Sequence, residues 1–234
     1  MYFPVEEMKE RIDDVGGGLR IIQRSDLFAF GTDAVLLSKF ATLAAGDRVI
    51  DLGAGTGLIP FGLVQRKRPA SITALELQPT LVQLCRRSVE LNGLTDLIQV
   101  VQGDLREVRS FFAPESFDLA TCNPPYLPVT GSLINARKPV AIARHELCCK
   151  LEDVIGAFAW LVRFGGKAAL VHRPQRLADI LCLFRDKGLE PKRMQLVHPR
   201  PGREANIVLV EAEKGAKPGL IVLPPLVIRE GDED

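Results

Sequence analysis

The 234-residue chain has no apolar run long enough to span a bilayer, so a helical membrane protein is not expected. Its start, MYFPVEEMKERIDD, is acidic and has neither the basic head nor the apolar middle of a secretory signal. A cytoplasmic location follows as the expectation. The five cysteines, Cys85, Cys122, Cys148, Cys149 and Cys182, contain no Cys-x-x-Cys pair, and their odd number argues against a disulfide framework. They read as reduced, small hydrophobic side chains, and no metal site is expected. The formal net charge is only +1, so charge alone names no partner. There is no internal repeat and no low-complexity linker, and nothing sets an oligomeric state.

What is there is an ordinary globular composition, 47% apolar and 25% charged, in a chain long enough for one sizeable core. Strand and helix signals alternate through the middle. Strands are expected at Arg48 to Leu52, Ile72 to Leu77, Ile98 to Val101, Phe117 to Cys122 and Lys167 to Val171. Helices are expected from Gly57 to about Arg66, from Pro79 to Asn92-Gly93, and near Leu105 to Phe112. Two more should run from Leu151 to Phe164, closed by Gly165-Gly166, and from Pro174 to Lys187, closed by Gly188. Met194 to Val197 and Ile207 to Val210 have no helix between them and should form an antiparallel hairpin. The expected fold is α/β: a Rossmann-like, seven-stranded, mostly parallel sheet with helices on both faces and an antiparallel C-terminal hairpin. A short N-terminal extension, residues 1–45, should hold a hairpin around Gly16-Gly17-Gly18 and a helix from Thr32 or Asp33 to Leu43, packed on the core. Residues 46–214 then form the main domain, and 215–234 an extended or frayed tail.

The strongest local signal is VIDLGAGTG, Val49 to Gly57. A strand ends on an acid, and Gly53, Gly55 and Gly57 follow at every second position before a helix. Glycines let a ligand approach the backbone with no Cβ in the way. A pyrophosphate would want the G-x-G-x-x-G spacing and a bare helix N-terminus. Here the spacing is G-x-G-x-G and Asp51 adds negative charge, which suits a cation. S-adenosylmethionine, with its ammonium and sulfonium, fits. Glu76, at the end of the next strand, can take both ribose hydroxyls. Asp104, after the third strand, can accept from an adenine amino group or can simply cap a helix. Asp51, Glu76, Asp104 and Asn123 all fall at the strands' carboxyl ends, where ligands of such sheets gather.

The fourth strand stops abruptly in ATCNPPYLP, on an amide, two prolines and one of only two tyrosines. In chain order, DLGAGTG, LELQ, QGDL and NPPY resemble the Rossmann-type methyltransferases that act on planar amide or exocyclic amino nitrogens. The flanking stretches ERIDDVGGG, LRIIQRSDLFAFGTDAVLLSKF, ARKPVAIARHE and LPPLVIREGDED are similar to the bacterial tRNA adenine-N6 methyltransferase family, which modifies adenine 37 of a valine tRNA. The resemblance implies S-adenosylmethionine as cofactor, bound by Asp51, Gly53, Gly55, Gly57, Glu76, Asp104 and Asn123, and the tRNA anticodon loop as partner. It also implies a use for the motif. An adenine amine is a poor nucleophile because its lone pair is delocalised into the ring. Acceptors at its two N–H bonds, Asn123 Oδ1 and the Pro124 carbonyl, would free that pair. Prolines fix the backbone so that the carbonyl points inward, and Tyr126 offers a ring for stacking.

Several features stay open on sequence alone. Between Arg163 and Arg203 ten Lys/Arg face three Asp/Glu, and His172-Arg173, Lys192-Arg193 and Arg200 to Arg203 either track phosphates or are simply solvated. Phe28 and Phe30 either flank the pocket or belong to the core. Gln65 to Arg68, QRKR, reads as surface, and His145 has no partner spacing for a general base. Competing functions are a protein-glutamine N5-methyltransferase of release-factor type, a ribosomal RNA guanine-N2 methyltransferase, and a non-catalytic RNA- or nucleoside-binding domain. The release-factor enzymes carry a larger helical N-terminal domain than the roughly fifty residues before Asp51 allow. A non-catalytic domain should show a broken motif, and Asn123, Pro124, Pro125 and Tyr126 are intact.

Overall fold

The computed structural model describes residues 10–24, 31–125 and 149–228. Phe28, Phe30, Tyr126, His145 and Cys148 lie outside these. A hairpin opens the described chain, β1 (Glu10–Asp14) and β2 (Arg20–Arg24), followed by α1 (Thr32–Phe40). Then come β3 (Arg48–Leu52), α2 (Leu58–Arg66), β4 (Ser71–Glu76), α3 (Pro79–Leu91), β5 (Ile98–Gln102), α4 (Val108–Phe111) and β6 (Phe117–Cys122). The second half holds α5 (Leu151–Leu161), β7 (Val162–His172), α6 (Leu177–Asp186), β8 (Leu189–His198) and β9 (Ile207–Lys214). Two short strands end it, β10 (Ile221–Val222) and β11 (Leu226–Val227).

The main sheet runs β5-β4-β3-β6-β7-β9-β8, with β10 and β11 both added to β8. The pairs β3/β4, β4/β5, β3/β6 and β6/β7 are parallel, and β7/β9 and β8/β9 antiparallel. The expected seven strands are present, with two more at the edge. Side chains alternate across the sheet, so each central strand feeds two cores. Val49, Ile72, Ala74 and Val171 pack with Phe40 of α1, Phe61 of α2 and Cys85 of α3. Ile50, Leu52, Ala120 and Leu170 pack with Val108 of α4, Phe158 of α5 and Phe184 of α6. Because β3, β4, β5, β6 and β7 run the same way, their carboxyl ends share one edge. β8 is antiparallel to β9, as β7 is, so its carboxyl end joins them.

The structure refines the sequence expectation in several places, and α1 ends at Phe40, short of the expected Leu43. The helix expected to reach Phe164 ends at Leu161, and β7 begins at once and runs through Gly165-Gly166. The 3.6-residue period continues into Val162, but a register shift at Phe117/Leu119 lets Val162 pair with β6 while Arg163 turns to Asp118, Nε to Oδ1 2.5 Å. Residues 174–176 form a 3₁₀ turn before α6 rather than its first turn. The described part of the tail is extended, one of its two expected states, and not frayed, because its strands meet the otherwise unpaired edge of β8. The QRKR stretch is exposed, as expected, but two of its side chains also act as clamps. Gln65 donates to Val15 O and Gly16 O in the hairpin turn at 2.9 and 2.8 Å. Arg66 caps the last carbonyls of α1, Ser38 O and Ala41 O.

The N-terminal hairpin lies along α3. Ser88 Oγ accepts from Ile22 N at 2.9 Å, and Asn92 takes both backbone groups of Arg20. A second join is buried: Glu211 of β9, 1% exposed, accepts from Thr42 N, Thr42 Oγ1 and Arg193. Among the described residues no helix is long and apolar enough to cross a membrane.

Candidate active site

The carboxyl edge is built from turns that only glycine makes comfortably. Gly53, Gly55 and Gly57 have φ of 69°, 57° and 98°. The first two differ from the third in what a side chain would meet. A Cβ on Gly57 would lie 2.9 Å from Cys85 Sγ and 3.1 Å from the Phe61 ring, so this glycine lets α2 pack on α3. A Cβ on Gly53 or Gly55 would meet nothing within 4 Å; it would fill open space above the turn. The turn is fastened to β4, with Gly53 N and Ala54 N donating to Leu75 O at 2.8 and 3.0 Å.

The two acids of the edge are held differently. Glu76 is 4% exposed, yet its carboxylate accepts from Gly55 N at 2.9 Å and Gln78 N at 2.8 Å. Two backbone donors therefore aim it at the glycine turn. Asp51 is fully buried. Thr121 Oγ1 donates to its Oδ1 at 2.7 Å, while Oδ2 has no hydrogen-bond partner. Burial, opposed by the Thr121 hydrogen bond and reinforced by the negative Glu76, pushes the Asp51 carboxyl up from 3.8 to about 8. The same surroundings push the Cys85 thiol up to about 12, chiefly by burial, so it is a packing group and no nucleophile.

A recess on this edge is lined by Gly53, Glu76, Leu77, Gly103, Asp104 and Pro125, with Cys149 on its rim. It brings together four of the sequence candidates' neighbourhoods: the glycine turn, the end of β4, the end of β5 and the Asn-Pro-Pro exit. Asn123 leaves β6 half-buried and Pro124 is buried. Asp104 takes the capping role: its side chain accepts from Arg106 N at 2.9 Å and pairs with the Arg106 guanidinium at 2.5 Å. The Arg106 hydrogen bonds hold it below the usual carboxylate range. It also lines the recess, so capping orients an acid that still faces the cavity.

Two residues that sequence reasoning passed over, Thr121 and Gly103, and one it named only as a candidate phosphate contact, His172, complete the edge. Thr121 stands directly opposite Asp51 in the β3/β6 register, and a lone hydroxyl in the apolar run that follows Asp118 was the available signal. Gly103 must be small: a Cβ there would meet Phe111 and Leu75 at 2.9 and 3.0 Å. His172 ends β7, one strand from the Asn-Pro-Pro exit. Its Nδ1 accepts from Arg173 N at 2.8 Å, and burial, then the Arg176 and Arg173 charges, push its pKa down to about 4, so it is neutral at pH 7. Among the described residues no group of three or more His, Cys, Asp or Glu could hold a metal.

Buried Asp51 with an orphaned oxygen, an aimed Glu76 and two glycines with open space above them fit a cationic nucleoside cofactor. Fold and site together define a Rossmann-type, S-adenosylmethionine-dependent methyltransferase. A family model described as the methyltransferase small domain matches residues 25–140. A tRNA1(Val) (adenine(37)-N6)-methyltransferase of Aeromonas salmonicida is 33% identical over 187 residues, 79% of this chain and 76% of that protein. One from Porphyromonas gingivalis is 29% identical over 206 residues, 86% of this chain and 76% of that protein. Among solved structures, a predicted O-methyltransferase from Agrobacterium tumefaciens superposes with a TM-score of 0.64 at 26% identity, covering 84% of this chain and 87% of that one. The chain belongs to the tRNA1(Val) (adenine(37)-N6)-methyltransferase family.

Proposed function

We propose that the protein transfers a methyl group to the exocyclic N6 of an adenine in tRNA, at position 37 in the anticodon loop of a valine tRNA, and that it does so in the cytoplasm. The observation that carries this reading is the Asn-Pro-Pro exit of β6 opening beside the recess that holds Glu76, Gly53 and Asp104. On this reading residues 46–214 are the catalytic unit, with 1–45 and 215–234 attached to it.

The cofactor supplies a methyl on a sulfonium, already activated toward nucleophiles. Glu76 would take the ribose hydroxyls, Asp104 the adenine amino group, and Asp51 the positive charge above the glycine turn, with Gly53, Gly55 and Gly57 leaving room for close approach. Asn123 also borders this space. The chain's part in the chemistry is positioning. Asn123 Oδ1 and the Pro124 carbonyl accept from the two N–H bonds of the target amine. That restores its lone pair and aims it at the methyl. The methyl would pass from the sulfonium to nitrogen, the bonding pair staying on sulfur as the neutral thioether product, and the proton lost from nitrogen would go to solvent. Tyr126 would stack on the base, a contact worth ~1–3 kcal/mol in single-strand recognition. Holding one base this way requires taking it out of the loop stack.

The test is methyl transfer from labelled cofactor to total tRNA, ribosomal RNA and total protein in parallel. Label is expected in tRNA, as N6-methyladenosine after digestion. Label in glutamine side chains or in guanosine would overturn the reading.

A further inference from the structure

The basic third of the sequence divides in two when folded. Arg163 is tied to Asp118, Arg185 to Glu190 and Arg193 to Glu211, and Lys192 reaches the tail at Lys217 O. These lie along the sheet or toward its amino edge. Arg173, Arg200 and Arg203 lie on the carboxyl edge. Arg173 directly follows β7, the neighbour of β6, and its guanidinium donates to Asn206 O at 3.0 Å. Asn206 closes the β8–β9 turn that carries Arg200 and Arg203, both exposed. That turn is braced. Arg203 N donates to Arg200 O at 3.2 Å, His198 Nδ1 meets Arg203 O at 2.6 Å, and Gly202 takes φ 74°. The tail adds a further tie, Ile228 N to His198 O at 2.9 Å.

We propose that Arg173, Arg200 and Arg203 form a rim that holds backbone phosphates of the RNA substrate while its target base enters beside Asn123. The proposal rests on the tRNA reading above. The register fixes the layout. Cys122 pairs with Leu170, so Pro124 and His172 leave the sheet side by side, and neighbouring strands are ~4.8 Å apart. Arg173 therefore stands about one strand from the amine-holding carbonyl, and the turn with Arg200 and Arg203 about three strands away. A line of cations runs outward from the site over a span of two or three nucleotides. Glu204 is the acid of the turn, and three arginines outweigh it. Guanidinium groups suit this task, since their planar donors match phosphate oxygens.

The test compares two sets of three substitutions in the full chain. Arg173→Gln, Arg200→Gln and Arg203→Gln remove the rim. Arg185→Gln, Lys187→Gln and Lys217→Gln remove three exposed charges toward the amino edge, with the same change in net charge. Binding of unmodified tRNA is titrated at several salt concentrations, with KM and kcat for methyl transfer measured alongside. The rim set should weaken binding about tenfold or more near physiological salt. It should also flatten the log–log salt slope by roughly 2, from about 0.7 per lost single-strand contact. KM should rise while kcat moves little. The amino-edge set should match the parent, and a rim of three Arg→Lys changes should keep most of the slope. If wild-type protein acts on tRNA and the rim set keeps the parental slope and KM, the rim proposal is wrong and the tRNA reading stands. If wild-type protein neither binds nor methylates tRNA, or labels protein instead, both fall.

Discussion

The buried acids at the carboxyl edge of the sheet are held unlike the surface acids at its amino edge. At the amino edge charges neutralise one another at the surface. Asp118 accepts from Arg48 N at 2.8 Å and Arg163 Nε at 2.5 Å, and Lys214 sits 3.1 Å from Glu115. At the carboxyl edge Asp51 is buried with one oxygen unmatched, and Glu76 is held by backbone N–H groups alone. The first arrangement is a fold closing its own accounts; the second is a surface prepared for something that is not protein. Strand direction creates the difference, because five parallel strands deliver their last residues, and the turns that follow, to one side.

Substitutions at both edges can break this comparison, and the largest effect is expected at Asn123. Asn123→Ala should lower single-turnover methyl transfer ~10²-fold or more, by analogy with other preorganised polar groups, with cofactor affinity nearly unchanged. Next comes Glu76→Ala. Losing hydrogen bonds to a charged acceptor should weaken cofactor binding roughly 10- to 100-fold by calorimetry. A matched pair of glycines sharpens the contrast. Gly53 and Gly188 have φ of 69° and 74°, and a Cβ on either meets nothing within 4 Å. Gly53→Ala and Gly188→Ala should each cost about 1–2 kcal/mol of stability in denaturant titrations. Only Gly53→Ala should weaken cofactor binding, by about tenfold. Equal binding by the two variants would show that the turn is merely a turn.

Proton linkage gives a smaller effect. With its pKa raised to about 8, Asp51 carries a proton in the unliganded protein at pH 7. A raised acid pKa means the fold binds more protons than the unfolded chain, so unliganded stability declines as pH rises from about 4 toward 8. Affinity for a cationic cofactor should climb with pH over the upper part of that range, at most tenfold per unit, and level off above about 8. Asp51→Asn should flatten the profile in calorimetry. The smallest effect belongs to the amino edge. Asp118→Asn should cost about 1 kcal/mol, a fall of roughly 2–4 °C in Tm, and leave cofactor affinity and methyl transfer intact.

The glycine spacing and the acid at each strand end were legible because they are local: one strand, one turn, one residue type. The same holds for the mostly parallel sheet implied by alternating elements. Thr121 under Asp51 was not, because it depends on the register between strands seventy residues apart. Nor was the placing of Arg173, Arg200 and Arg203 together at the carboxyl edge, away from Lys192 and Arg193, because it depends on how β8 turns back into β9 beside β7. The helix expected through Phe164 failed for a related reason. Its period is helical, but the ion pair with Asp118 and packing of Phe164 on Gly215, where a Cβ would lie 2.0 Å from the ring, belong to the folded sheet. The tail read only as extended or frayed because two-residue strands carry no pattern of their own; the open edge of β8 is what pairs with them.

The most direct test of the account is stoichiometric labelling of one defined RNA. An unmodified valine tRNA transcript with adenosine at position 37, and a second with guanosine there, are incubated with excess protein and labelled S-adenosylmethionine. The account predicts close to one methyl per molecule on the first, recovered as N6-methyladenosine, and none on the second. Equal labelling of the two transcripts, or label on neither while another substrate class is methylated, would contradict it.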